Sequence, residues 1–208
     1  GVNGHAYVYE TDGENWNNGT VIQQEKSGMV NDVSMSKNGR MLATANWDNT
    51  VRLYEKHDLF GWSLSHKLDQ AKSRRNAVAL SPDGTWVASC GVENEVIFYN
   101  LNLHYKPRLA HTLAYATKRR LPDCRALAFS SDSKRLALGA WDEVVRVYRT
   151  DIPKPRLEYQ MQKTHLQESE INTVSWSQDG KWLASASNDG TVDLWTGFTP
   201  LPTDEEVV

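Results

Sequence analysis

An acid recurs at one place in four similar stretches of the chain: Asp48, Glu93, Asp142 and Asp189, each just ahead of a run carrying Val, Leu or Phe at alternate positions. A ring of carboxylates could hold a metal ion or exchange protons. Either chemistry needs converging partners, such as His or Cys at ligand spacing or a second, differently tuned acid. The sequence offers no metal-spaced His/Cys pairs, no Gly-rich phosphate loop and no nucleophile elbow. The four acids are therefore read as structural turn residues whose side chains accept nearby backbone N–H groups. Asp32 and Arg125 stand near the starts of two other apolar runs and are read as solvated loop residues. No catalytic residue, metal or cofactor is expected.

Two further groupings suit binding better than catalysis. Trp47 and Trp141 immediately precede the acid in two of the stretches, where Val92 and Asn188 stand in the others. A turn Trp either anchors a partner, burying a large rigid area at low entropic cost, or folds over a neighbouring segment. Both readings stay open. Lys72, Arg74 and Arg75 precede one apolar run, and Lys118, Arg119, Arg120 and Arg125 precede or enter the next. Side by side, the two sets would form a cationic patch for an acidic or phosphorylated segment; apart, they are solvated loop charges.

The elements that position these residues come from an internal repeat. Asn31–Ser36, Asn76–Ser81, Arg125–Ser130 and Asn172–Ser177 alternate with period two, and each runs into a turn of Asn, Asp, Ser and Gly that suits a tight hairpin. A second strand follows with small residues at Leu42–Ala45, Val87–Cys90, Leu136–Gly139 and Leu183–Ala186, where neighbouring sheets would approach closely. The acid-bearing turn and a third strand come next. Aromatics close each copy at Tyr9, Tyr54, Tyr99, Tyr148 and Trp195, 45 to 49 residues apart. Short alternating runs between copies, Thr20–Gln24, Trp62–Leu68, Leu109–Leu113 and Leu157–Met161, supply a fourth strand. Four antiparallel strands at this period predict the blades of an all-β propeller, because a twisted sheet buries both faces only when others stack around an axis.

Ser81–Gly84, Ala184–Trp195 and Trp47–Tyr54 resemble the WD-repeat family, and the likeness covers nearly the whole chain. The resemblance implies that Trp47 and Trp141 lie on the top face of the propeller, where partners dock. It also departs from the family. The Gly-His pair expected before the first strand of each blade is missing, so the family's His-to-Asp hydrogen-bond network is not expected. The reading divides residues 1–196 into a partial blade over 1–26 and blades over 29–69, 74–113, 123–162 and 170–196, seventeen strands in all, with an acidic, Pro-containing tail over 197–208. About four to five blades are thus expected, as part of a larger propeller whose remainder lies in a longer chain or in a larger complex, the alternative being that the two ends pair with each other in a small ring.

Composition excludes several classes. A net charge of −3 over 208 residues argues against a dedicated nucleic-acid binder, and no apolar stretch is long enough to cross a membrane as a helix. Cys90 and Cys124 fall inside strand patterns and are expected as two buried thiols rather than a disulfide. A cytoplasmic location is favoured over a secreted one, and the sequon at Asn18 counts only if the protein is secreted. The expected function is a non-catalytic protein-interaction scaffold acting through its top face. The alternatives are a structural subunit using blade edges and sides and, further off, an enzyme or glycan-binding propeller.

Overall fold

A computed structural model describes residues 4–11, 13–16, 19–23, 28–101, 106–117, 123–162 and 170–197, all as strands, turns and connections without a helix. The expectations for Asn18, Lys118, Arg119, Arg120 and the tail beyond Gly197 lie outside the described residues.

Among the described residues, seventeen strands form five antiparallel sheets. The first pairs β1 (His5–Val8) with β2 (Thr20–Gln23). The second is β3 (Val30–Met35), β4 (Met41–Asn46), β5 (Val51–His57) and β6 (Gly61–Leu68), in that order. The third follows with β7 (Arg75–Leu80), β8 (Trp86–Gly91), β9 (Glu95–Asn100) and β10 (Arg108–Ala114), and the fourth with β11 (Cys124–Phe129), β12 (Arg135–Ala140), β13 (Val144–Arg149) and β14 (Arg156–Gln162). The last holds β15 (Ile171–Trp176), β16 (Leu183–Ser187) and β17 (Val192–Trp195). The leading strands β3, β7, β11 and β15 stand side by side, which makes the array a partial β-propeller with those strands innermost.

The hairpin joining the first two strands of each blade is built from one recurring set of bonds. Ser36, Ser81, Ser130 and Ser177 each donate a hydroxyl to Asn38, Asp83, Asp132 or Asp179 two residues on. The same acceptor takes the N–H of Arg40, Thr85, Lys134 or Lys181. Between them the chain must turn left-handed, with φ of 67°, 74° and 68° at Gly39, Gly84 and Gly180. Ser133 adopts 61° at the same place without being glycine, and its hydroxyl accepts the Asp83 N–H of the preceding blade at 3.0 Å.

Apolar side chains bury between sheets rather than within them. One cluster joins the second and third sheets through Ala43, Leu53, Val78, Val87 and Tyr99; the next joins the third and fourth through Ala88, Phe98, Leu136 and Leu138. Val145, Val147, Tyr159, Ile171 and Leu183 fill the following junction. Each fully buried Leu, Val or Phe contributes about 1.5–3 kcal/mol relative to exposure, so every junction is a small core of its own. Small residues on the second strand allow the approach. A Cβ on Gly139 would stand 2.6 Å from Ile171 Cγ2.

The expectation of two free thiols is overturned, because Cys90 on β8 and Cys124 at the start of β11 form a disulfide with a Cα separation of 5.8 Å. Both sit fully buried at the same junction, where a small-residue position on one blade faces the first residue of the next. That separation is ordinary for bonded cysteines. The outward faces of the first and last sheets leave Tyr7, Val21, Val192 and Leu194 exposed.

Candidate functional site

A β-bulge interrupts the innermost strand of all four longer sheets at the same step: between Val30 and Asp32, Arg75 and Ala77, Cys124 and Ala126, and Ile171 and Thr173. A bulge adds one residue and re-aims its side chain. The residues so placed are Asn31, Asn76, Arg125 and Asn172, one per blade. They line a cavity of about 650 Å³, together with Trp47, Trp141 and Arg74. This is the mouth of the axis, at the end of the innermost strands opposite the hairpin that leaves each of them.

Two bulge asparagines serve the scaffold. Asn31 donates to the Arg75 carbonyl at 2.8 Å and Asn76 to the Cys124 carbonyl at 3.1 Å, each reaching into the next blade. Asn172 donates instead to Asn188 in its own sheet. Arg125 breaks the series and lies over the Trp141 ring at 4.2 Å, while Arg74 lies over Trp47 at 5.1 Å. Guanidinium–indole stacking of this kind is favourable and holds the flexible Arg in place. Asp123 stands between the two stacks, its Oδ2 3.6 Å from Nη2 of Arg74 and 3.6 Å from Nη2 of Arg125. Its own carbonyl accepts the Trp141 N–H at 2.9 Å, and the Met29 carbonyl takes the Trp47 N–H at 3.1 Å in the equivalent place. Those two bonds set each tryptophan at the mouth.

The expected residues divide unevenly over this geometry. Trp47 is 45% exposed and Trp141 is half-buried under Arg125, so the two open readings meet in the middle. Lys72 is exposed and Arg74 enters the site. Arg75 does not belong to a surface patch. It is wholly buried, donates Nη2 to the Ser89 carbonyl at 2.7 Å and has Glu95 4.0 Å away; burial lowers its guanidinium below the usual range. The cause is position: Arg75 falls just before the bulge and faces its own sheet, whereas Arg74 lies one residue earlier in the loop.

Asp48 accepts from Thr50 Oγ1 and N and pairs with Arg52 at 2.6 Å; Asp142 pairs with Arg146 at 2.5 Å; Asp189 accepts from the Thr191 N–H at 3.0 Å. An Arg on the third strand thus answers the acid in two blades. Arg146 also donates to the Ala116 carbonyl at 2.8 Å and lies 4.5 Å over the Tyr115 ring. Glu93 differs, because it stands close to Glu95, whose carboxyl is pushed up first by its own burial and then by Glu93. The reading of Asp32 and Arg125 as solvated loop residues is corrected. Asp32 accepts the Val78 N–H of the next blade at 2.9 Å, and Arg125 is part of the mouth.

Asp123 and the roles of the bulge asparagines Asn31, Asn76 and Asn172 were missed from the sequence, whereas Arg125 was noted. The in-phase position of Asn31, Asn76, Arg125 and Asn172 was the available signal, since the one charged member is the one that leaves the clamp pattern. Elsewhere, Leu59 and Phe60 at the tip of the β5–β6 hairpin are 88% and 84% exposed. Among the described residues, no group of three or more His, Cys, Asp or Glu could hold a metal ion.

The family model described as "WD domain, G-beta repeat" matches four times, at residues 17–55, 62–100, 118–149 and 158–196. Three of the matched units take in the outermost strand of one blade and end with the third strand of the next, so they straddle a junction, whereas the unit at 118–149 starts after β10 and covers β11, β12 and β13. The chain is 28% identical over 183 residues to small ribosomal subunit protein RACK1y of Oryza sativa subsp. japonica, covering 83% of this chain and 49% of that protein. It is 26% identical to WD repeat-containing protein 1 of Bos taurus over 79% of this chain and 25% of the relative. Protein HIR1 of Chaetomium globosum is also 26% identical, over 65% of this chain and 14% of its own length. The chain therefore spans about half of the first of these relatives and a quarter or less of the other two.

Proposed function

Because the chain belongs to the WD-repeat family, we propose that it is a non-catalytic scaffold that recognises a protein segment at the mouth of the propeller axis. The observation that carries this reading is the convergence of Trp47, Trp141, Arg74 and Arg125 on one cavity, with the two guanidinium groups stacked on the two indoles. Aromatic and Arg side chains are the usual anchors of interfaces. Held cations of this sort suit an acidic or phosphorylated segment, with Lys72 at the approach.

A second reading is favoured by Leu59 and Phe60, which stand free at a hairpin tip. On that reading the protein is a structural subunit held through blade sides and edges, as the name of the rice relative describes for a ribosomal protein.

Affinity capture from cells followed by identification of the bound proteins separates the two. The variant Trp47→Ala/Arg125→Gln is expected to lose its partners while its unfolding free energy stays within about 1 kcal/mol of the parent. Leu59→Ser/Phe60→Ser is expected to keep them. The opposite pattern would replace the mouth reading with the subunit reading.

A further inference from the structure

The mouth carries an internal anion. Asp123 is only 7% exposed at its side chain and lies 3.6 Å from both Arg74 and Arg125, whose own side chains are 37% and 34% exposed. It cannot swing away easily, since its carbonyl holds the Trp141 N–H and the next residue, Cys124, is tied by a disulfide to the preceding blade. Neither ion pair is short enough to be a direct hydrogen bond. Arg74 Nε, Arg125 Nε and Trp141 Nε1 are buried donors without an acceptor. Among the described residues these three N–H groups have no oxygen within reach, and buried N–H groups left unsatisfied favour whatever supplies one.

Counting charge among these groups, two guanidinium groups and one fixed carboxylate leave a single positive charge. We propose that Asp123 makes the mouth a receptor for one carboxylate side chain, Glu or Asp, in an extended segment, and turns away phosphate. This rests on the mouth reading above. A carboxylate completes the charge balance and offers two acceptor oxygens to the partly exposed guanidinium groups. Phosphate carries about −1.5 to −2 at neutral pH, so its second charge would be held beside Asp123 in a half-buried site, where like charges repel strongly. Specificity here comes from a repulsive element already built into the protein.

The test uses short capped peptides differing at one central residue, Glu, phosphoserine or Gln, titrated against the full chain while the indole N–H signals of Trp47 and Trp141 are followed by NMR. The parent is expected to bind the Glu peptide roughly fivefold or more over the other two. Asp123→Asn, which keeps shape and the backbone bond, is expected to strengthen the phosphoserine peptide about tenfold and reverse the order. Arg74→Ala is expected to weaken the Glu peptide about tenfold. An unchanged Glu-to-phosphoserine ratio in Asp123→Asn, with Arg74→Ala still weakening both, overturns the role of Asp123 and leaves the mouth reading standing. Failure of every peptide to shift either indole in the parent overturns both.

Discussion

Two aspartates of one blade respond to the fold in opposite directions. Burial pushes the Asp32 carboxyl above its ordinary range, although the N–H groups of Val78 and Val33 pull the other way. Asp48 is also pushed up by burial, but hydrogen bonds from Arg52 and Thr50 outweigh that and leave it lowered. The linkage follows for each. Asp32 binds its proton more readily when folded, so its contribution is fullest below the unfolded carboxylate range and is lost as pH rises through the raised folded value. Asp48 contributes above the unfolded value and loses that contribution as pH falls through its lowered one. Asp32→Asn, which keeps an oxygen for the Val78 N–H, is expected to match or exceed the parent's stability at pH 7 and to flatten its dependence across the acid range. Asp32→Ala leaves that N–H unpaired between blades and is expected to cost about 1–3 kcal/mol. Denaturant unfolding at pH 4 and pH 7 checks both; a clear loss in Asp32→Asn at pH 7 would mean the charge itself holds the blades together.

At the level of the element, the strands and hairpins were legible because their causes are local. Period-two alternation, a Ser two residues before an Asn or Asp, and a Gly where φ must be positive all lie within one stretch of sequence. The bulge was not legible. It inserts its residue without disturbing the apolar alternation on either side, and it shows only in the register against the second strand. Asp123 was hidden for a related reason, since its partners Arg74 and Trp141 come from two different blades. The close approach at Gly139 belongs to this scale too. Gly139→Ala is expected to cost about 1–3 kcal/mol by overpacking against Ile171. Combining it with Ile171→Ala should cost less than the sum of the two changes by more than about 0.5 kcal/mol. Simple additivity in thermal unfolding would show that the fourth and fifth sheets have room to spare.

Over the whole molecule, stability is distributed as a row of junction cores, each made by two neighbouring sheets, with exposed apolar residues on the outward faces at both ends of the row. Such an array has no single centre whose loss unfolds the rest, and its parts depend on nearest neighbours. The free-thiol expectation failed at this scale: Cys90 and Cys124 are 34 residues apart and occupy unlike strands, so only the stacking of blades brings them together. That bond turns residues 91–123 into a covalent lasso enclosing β9 and β10. A protease that nicks the backbone once inside the lasso does not separate the two pieces. Limited trypsin digestion should therefore leave a species of full mass on a non-reducing gel that resolves into two fragments only when dithiothreitol is added. Fragments that part without reductant would show the loop to be open. With the bond in place, a protein cut between its middle blades stays one molecule, keeping Arg74, Asp123 and Arg125 tethered at the mouth after the chain that joins them has been broken.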